Sequence, residues 1–324
     1  MVSRKELLTS WQRYTASLMV YGFGLFLYTN LSYYRGFVSP ATLKALMILL
    51  ALYLVLGWPL QILTRKETGH KPSVLLLTLL KLVTGKPVGV VERNVILFFL
   101  VKLFYIPVML NFLFANSRGV IDFVAHFTVR GFPFRFRYDY TAIFPFIFAL
   151  DTIFFAFGYL VEHPKLKNTV KSVEPTLLGW AAALATYPPF NNLTAKYLNW
   201  YSNDYFFYVN PLVDIGLKVF AIGLLGVYLW ATFSLGFKCS NLTNRGIVTN
   251  GAYKHIRHPA YASKVLFWWL TALPRFSLTA FFSLTGWSLI YYLRAVTEER
   301  HLEKDPDYRK YLKATRFRFV PGLV

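Results

Sequence analysis

Long apolar runs separated by short polar and basic stretches make up most of this sequence. A helix needs about 20 apolar residues to cross roughly 30 Å of hydrocarbon, and most of the runs approach that length. They are continuous rather than alternating, which predicts helices rather than barrel strands. The predicted membrane segments run near 14–31, 44–63, 95–114, 141–161, 176–187, 211–236, 259–273 and 277–297. The fifth and seventh are short, which predicts segments that are tilted, re-entrant or extended at one end.

Two further segments predict helices outside the hydrocarbon core. Segment 72–84 is apolar, but at about 13 residues it would rise only about 20 Å, so we expect it at the interface or against the bundle. Near the C-terminus, Asp305 can cap a helix that starts at Pro306. One face of that helix would consist of Tyr308, Tyr311, Leu312 and Thr315. The predicted fold is therefore an all-α, multi-pass integral membrane protein, with about eight membrane segments and a C-terminal amphipathic helix.

Composition agrees with a membrane environment. Hydrophobic residues make up 56% of the chain and charged residues 15%, with a mean hydropathy of +0.42. Soluble domains carry about a quarter charged residues, so most of this surface is expected to face lipid. The single cysteine, Cys239, excludes an internal disulfide and leaves the redox compartment open. The apolar stretch after residues 1–13 is too long for a cleaved signal peptide and is expected to remain as the first span.

The basic residues predict the orientation. If the N-terminus is cytosolic, 23 of the 35 Lys and Arg residues fall in cytosolic stretches and 7 in outer loops. This bias predicts that both termini are cytosolic, although loop 115–140 carries four arginines on the outer side. The net charge of +20 is therefore explained by the basic loops of a membrane protein and does not indicate a nucleic-acid surface. The membrane itself is predicted to be a bacterial inner membrane or the endoplasmic reticulum.

Polar residues beside apolar ones concentrate in the last third of the chain. We therefore divide the sequence into an N-terminal transmembrane region of unknown role, 1–210, and a core, 211–324. Pro259 suits the first turn of a helix, so Arg257 and His258 would lie at its positive end, where an anion is stabilised. On spacing alone, a loop that binds anionic lipid headgroups fits this segment equally well.

A second cluster lies where the last membrane segment ends. Arg294 and Glu298 are four residues apart and share a helix face, and Glu299 follows. Two adjacent carboxylates at a membrane edge cannot both face the same surroundings, so one is expected to point into the bundle. Taken alone, the cluster is better explained by a salt bridge within one helix that caps the span.

Taken together, these clusters resemble the isoprenylcysteine carboxyl methyltransferases and related membrane phospholipid methyltransferases. The resemblance covers about residues 230–322. The matching positions, in order, are Gly251, Tyr253, Arg257, His258, Pro259, Tyr261, Arg294, Glu298, Glu299, Leu302, Tyr308, Tyr311 and Pro321. Two departures are Ser263, where the family usually has glycine, and the Arg245-Gly246 pair, which matches poorly.

The resemblance implies a cofactor, S-adenosylmethionine, in a cytosol-facing pocket between the last spans and the C-terminal helix. Arg294 would hold the methyl acceptor or its carboxylate. No metal is implied, and the histidines and acids form only a weak metal-ligand pattern. The implied cofactor contacts are Arg245, Gly246, Ile247, Val248, Tyr253, His258, Pro259, Ala260, Tyr261 and Glu298.

The chemistry implied by this resemblance needs no strong nucleophile from the protein. Methyl transfer from a sulfonium is an in-line displacement, so the enzyme positions two reactants and excludes water. The expected partners are the bilayer and a lipophilic or prenylated acceptor carrying a carboxylate, a thiol or an amine. Two alternatives remain open. Membrane sterol reductases carry a similar pattern but bind NADPH, which the adjacent Glu298 and Glu299 disfavour, and charged residues within spans, such as Asp151 and Lys218, also suit a carrier.

Overall fold

The computed structural model describes residues 4–64, 69–130 and 136–323. The chain divides into two compact units, Met1–Asn111 and Phe112–Val324, with the boundary inside one long helix. Unit 1 contains α1 (Arg4–Asn30), α2 (Ser32–Phe37), α3 (Pro40–Leu63), α4 (Lys71–Val83) and the first half of α5 (Val90–Arg130). The predicted functional division at residue 210 stays a prediction, since it does not coincide with this structural boundary.

Unit 2 holds the remaining elements. Its helices are α6 (Phe136–Leu160), α7 (Leu177–Leu184), α8 (Phe190–Tyr197), α9 (Pro211–Leu235), α10 (Pro259–Ala272), α11 (Leu278–Leu302) and α12 (Pro306–Ala314). Two short strands, β1 (Ser172–Val173) and β2 (Thr243–Asn244), pair antiparallel. Short 3₁₀ turns lie at Pro164–Leu166, Gly236–Lys238, Gly251–Lys254 and Leu273–Arg275.

In unit 1, α1 packs closely on α3. The Tyr14 hydroxyl donates to Leu54 O at 2.7 Å, and the ring of Tyr14 lies where a side chain at Gly57 would reach. Ser39 caps α3 by accepting from Thr42 N, and only about 6% of the apolar window of this helix is buried. An apolar helix with so little of its surface covered fits a lipid environment.

Within the described residues, four helical stretches are long and apolar enough to cross a membrane. They are Pro40–Leu63, Val90–Ala125, Tyr140–Leu160 and Pro211–Lys238. The prediction of an all-α membrane fold is confirmed in this general form, whereas the count of eight spans is not. The predicted segment 176–187 contains only α7, whose eight residues rise about 12 Å and cannot cross about 30 Å of hydrocarbon.

The chain between α7 and α9 nevertheless passes from one end of unit 2 to the other. The pairing of β1 with β2 holds the chain after α6 beside the chain after α9. At the opposite end, the rings of Tyr140 and Phe206 lie 5.6 Å apart, and Tyr208 N donates to Asp214 Oδ1 in the first turn of α9. Residues 177–210 therefore pass along unit 2 as two short helices followed by an irregular stretch. We call these residues the broken crossing.

Side chains on α10 and α11 provide hydrogen-bond partners for the irregular part of the broken crossing. Leu198 O accepts a hydrogen bond from Trp287 Nε1 at 3.0 Å, and its side chain occupies the space that Gly286 leaves on α11. Ser202 Oγ and Thr271 Oγ1 share a hydrogen bond of 2.7 Å. Irregular backbone is tolerated at membrane depth where the surrounding protein supplies partners in this way.

Candidate functional site

The segments that carry the predicted motifs meet at one end of unit 2. Arg257 N donates to Phe317 O at 2.9 Å, and His258 N donates to Arg318 O at 2.9 Å. Two consecutive backbone hydrogen bonds thus hold residues 315–319, which we name the C-terminal tail, along the chain that leads into α10. The start of α10, the end of α11 and the tail form one side of the site.

A close approach to α9 fixes loop 245–258. Gly251 has a φ of +59°, and a Cβ at this position would lie 2.2 Å from Ser234 Oγ, so only glycine fits. The same hydroxyl accepts a hydrogen bond from Ala252 N at 3.1 Å. On the other side of the loop, the Tyr311 hydroxyl of α12 donates to Tyr253 O at 2.7 Å. The C-terminal helix therefore folds back onto this loop.

Glu299 is the centre of a buried ion cluster. Arg257 Nε and His258 Nε2 lie 2.8 and 2.9 Å from its Oε1, and Arg318 donates to both carboxylate oxygens. Burial alone would raise the pKa of this carboxyl, but the hydrogen bonds from these three residues outweigh burial and hold the pKa well below its usual range. The anion expected at the start of α10 is therefore supplied by the protein itself.

Glu298 faces different surroundings from its neighbour. The Tyr261 hydroxyl donates to Glu298 Oε2 at 2.8 Å, and both residues line a cavity at this end of the unit. The polar residues of the lining are Glu174, Asn241, Thr243, Tyr261, Arg294, Thr297, Glu298 and His301. The expectation that the two adjacent carboxylates separate is met, with Glu299 inside the bundle and Glu298 at the cavity.

Arg294 is buried in the wall of the cavity. Its Nη1 donates to Thr186 Oγ1 at 2.7 Å, and its Nη2 donates to Asn241 Oδ1 at 2.9 Å. The rings of Tyr261 and Tyr291 each have their centroid 5.0 Å from the guanidinium carbon. Hydrogen bonds and aromatic faces together hold the plane of this guanidinium in one orientation.

The strand pair brings a second carboxylate to the same cavity. Glu174 follows β1, and its backbone N–H donates to Leu242 O beside β2. The pair is tied to α12, because Asp305 Oδ2 accepts from Asn244 Nδ2 and Lys171 Nζ, both at 3.0 Å. Burial tends to raise the pKa of Asp305, but these hydrogen bonds lower it overall.

Three of the eleven predicted site residues line the cavity, namely Tyr261, Arg294 and Glu298. Within the described part of the chain, the other eight lie outside the lining, and their predicted roles remain predictions. These are Arg245, Gly246, Ile247, Val248, Tyr253, His258, Pro259 and Ala260.

Those eight residues instead shape the loop and the start of α10. Arg245 donates to Ser240 Oγ at 2.9 Å and to Asn168 O at 2.7 Å, and Gly246 turns the chain with a φ of +89°. Pro259 takes the first turn of α10, as predicted. Ser263, at the position where glycine is usual, donates to Pro259 O at 2.8 Å.

Sequence reasoning missed five polar residues of the cavity: Glu174, Asn241, Thr243, Thr297 and His301. The only available signal for Glu174 was an acidic residue immediately before an apolar segment, at a membrane edge. Nothing in the sequence places Asn241 beside Arg294, because their contact joins positions 53 residues apart. The site therefore extends beyond the segment that resembles methyltransferases.

The residues of the cavity suit a small cationic cofactor. Glu174 and Glu298 supply two carboxylates against one guanidinium, and the buried Glu174 Oε2 has no hydrogen-bond donor among the described residues. S-adenosylmethionine carries a sulfonium and an ammonium against one carboxylate, so its charge complements this lining. No group of three or more His, Cys, Asp or Glu side chains is arranged to hold a metal ion within the described ranges.

A helical membrane-type bundle with a polar cavity at one end defines the general class of this site. Residues 212–308 match the family model of phospholipid methyltransferases. The resemblance deduced from the motifs is thus confirmed for this third of the chain, and the match supports a methyltransferase. No curated protein matches the chain.

Proposed function

We propose that this protein is an integral membrane methyltransferase that uses S-adenosylmethionine and acts on a lipophilic or prenylated acceptor at the cytosolic face. One observation carries the proposal. Tyr261, Arg294 and Glu298, which come from two separate motifs of the matched region, line a single cavity. Residues far apart in sequence that converge on one cavity are what a binding site requires.

In this proposal Glu298, with Tyr261 on its carboxylate, contacts the cofactor. When bound, the cofactor would supply a methyl group from its sulfonium to the acceptor by in-line displacement, with S-adenosylhomocysteine as the leaving thioether. The protein has to orient the two reactants and keep water out, and both tasks suit a cavity walled by fixed aromatic and charged side chains. Arg294, held by Thr186 and Asn241, faces the acceptor.

Charge also separates this function from the reductase alternative. The adjacent pair Glu298 and Glu299 is not the acidic pair of the cavity, because three cationic or hydrogen-bonding groups neutralise Glu299. The acidic pair of the cavity consists of Glu174 and Glu298, and Arg294 is the cation of the lining. A dinucleotide with several phosphates would meet more negative than positive charge there, which disfavours NADPH.

Equilibrium binding to the purified full-length protein tests the proposal. Labelled S-adenosylmethionine should bind and NADPH should not displace it. Glu298→Gln should weaken S-adenosylmethionine binding by about 1–3 kcal/mol, the loss expected for a hydrogen bond to a charged partner. Glu303→Gln is the matched control, since Glu303 is exposed at the end of the same helix and should leave affinity unchanged.

Binding should be accompanied by transfer. Incubation with labelled S-adenosylmethionine and a lipid extract should give a labelled, lipid-soluble product, whose chemistry would identify the acceptor. Saturable NADPH binding without S-adenosylmethionine binding would replace the methyltransferase proposal with a reductase.

A further inference from the structure

Glu174 is a fixed and almost fully buried carboxylate at the cavity, outside the family-matched region 212–308. Its residue exposure is 2%. Its carbonyl oxygen accepts from Trp180 Nε1 at 2.8 Å, and its Cγ lies 2.4 Å from where a Cβ on Gly179 would stand. Glycine at 179 therefore makes room for this side chain, and the strand pair and α7 hold it from both sides.

The two oxygens of Glu174 differ in their partners. Oε1 accepts hydrogen bonds from the backbone N–H and the hydroxyl of Thr176, and Arg300 Nη2 lies 3.7 Å away. Oε2 is buried and has no hydrogen-bond donor within the part of the chain that the structure describes. An ionised oxygen left without a donor in a buried place is costly, so it implies a ligand that supplies one.

His301 lies beside Glu174, but its geometry does not satisfy Oε2. Its Nδ1 lies 4.0 Å from Oε2, beyond hydrogen-bond distance. Its Nε2 shares a hydrogen bond of 2.9 Å with Ser172 Oγ. Burial lowers the pKa of His301 despite the nearby carboxylate, which favours the neutral ring at pH 7. A neutral imidazole at that distance neither donates to Oε2 nor adds to the charge compensation that the exposed Arg300 gives at Oε1.

The charge of the lining indicates what kind of donor is missing. With His301 neutral, Glu174 and Glu298 against Arg294 leave one net negative charge. A hydroxyl donor would satisfy the oxygen but leave the two carboxylates repelling each other. A cationic donor satisfies the oxygen and balances the lining at the same time.

We infer that Glu174 Oε2 receives the α-ammonium group of S-adenosylmethionine, an inference that rests on the proposed function. The cofactor site is then completed by a residue from the segment between α6 and α7. Glu174 is a binding residue, and Gly179 and Thr176 are the positioning residues that aim it.

Three probes and one substitution test this assignment. Glu174→Gln keeps the size of the side chain and an Oε1 that accepts from Thr176, but removes the charge. The probes are S-adenosylmethionine, S-adenosylhomocysteine, which keeps the ammonium without the sulfonium, and 5′-methylthioadenosine, which has neither. Affinity should fall about tenfold to a hundredfold for the first two, and less than about threefold for the third.

The control is Glu303→Gln, an exposed carboxylate on α11, which should change none of the three affinities. Thermal unfolding of the protein without cofactor adds a second readout. Because Oε2 has no donor in the described structure, Glu174→Gln should unfold at the same or a higher temperature than the parent. A purely structural role would lower the unfolding temperature instead.

Each other result overturns the assignment in a recognisable way. Equal losses for all three probes would place Glu174 at the ribose or adenine, and a loss for S-adenosylmethionine alone would place it at the sulfonium. Unchanged affinities, or a lower unfolding temperature, would show that Glu174 has only a structural role. If the parent binds none of the probes, the proposed function itself fails, independently of Glu174.

Discussion

Arg294 is the residue in which chemistry and packing are hardest to separate. Two of its nitrogens donate to Thr186 and Asn241, and two tyrosine rings cover its faces. Substituting Arg294 alone does not distinguish a structural arginine from one that orients an acceptor. The guanidinium already donates to two protein oxygens, so Arg294→Lys would disturb both its packing and any contact with an acceptor. A further variant is needed to separate these two roles.

Thr186→Val supplies that variant, since it removes one protein partner and keeps the guanidinium. If Arg294 orients the acceptor, Arg294→Lys should lower methyl transfer on the order of a hundredfold, the cost of misplacing a reactant, with S-adenosylmethionine affinity nearly unchanged. Thr186→Val should lower transfer less than about tenfold. Turnover and cofactor affinity would be measured together in both variants. Equal losses of turnover in the two variants would show that Arg294 acts only through its packing.

Single residues show where sequence reasoning stopped. The spacing of Arg294, Glu298 and Glu299 predicted that the carboxylates would separate, because adjacent helix positions face different directions. The spacing did not predict which of the two carboxylates faces the bundle. His258, which was predicted to contact the cofactor, lies 2.9 Å from Glu299 Oε1. Glu174 was missed because its role depends on a strand pair of two residues each, which has no pattern in the sequence.

At the scale of elements, the Glu299 cluster joins three pieces of chain. It ties α11 to the segment before α10 through Arg257, and to the C-terminal tail through Arg318. The guanidinium of Arg257 also donates to Thr315 O at 3.1 Å. One carboxylate therefore holds together the wall that carries Tyr261 and Glu298.

Glu299→Gln should destabilise the protein by about 3–5 kcal/mol at neutral pH, since it leaves the buried Arg257 and the half-buried Arg318 without their anion. The pKa of Glu299 is lowered in the folded state, so its stabilisation is present above the unfolded pKa of about 4.3 and is lost as the pH falls through and below that value. Unfolding temperature should therefore drop steeply in acid for the parent and more gently for the variant. Parallel pH curves for the two proteins would contradict this account, and Glu303→Gln serves as control.

Elements with strong local signals were predicted well, and those set by distant contacts were not. Asp305 caps α12 and Pro306 starts it, as expected from their side chains and ring geometry. The segment 176–187 was predicted from its hydropathy as a short membrane segment that is tilted, re-entrant or extended at one end. The structure ends the helix at Leu184 and continues through α8, because Leu198 and Ser202 find partners on α10 and α11.

At the scale of the whole molecule, the orientation in the membrane is the prediction that the charge pattern makes. A reporter fused after Val324 should be cytosolic, because 23 basic residues lie in the stretches assigned to that side. A fusion after Gly36, in the first outer loop, should report the opposite side and serves as the control. A C-terminal reporter on the outer side would refute the assignment, and would place the cavity away from the cytosolic cofactor supply.

The broken crossing also has a consequence for how the protein is made. A nascent segment enters the bilayer by itself when its apolar helix is long enough, and α7 and α8 have eight residues each. The backbone of Leu198 gains its partner only from Trp287, which is synthesised 89 residues later. Residues 177–210 must therefore settle after α11 has been inserted, so the cavity is completed late in biogenesis. Truncation before α11 should consequently leave this stretch accessible to protease in newly made chains.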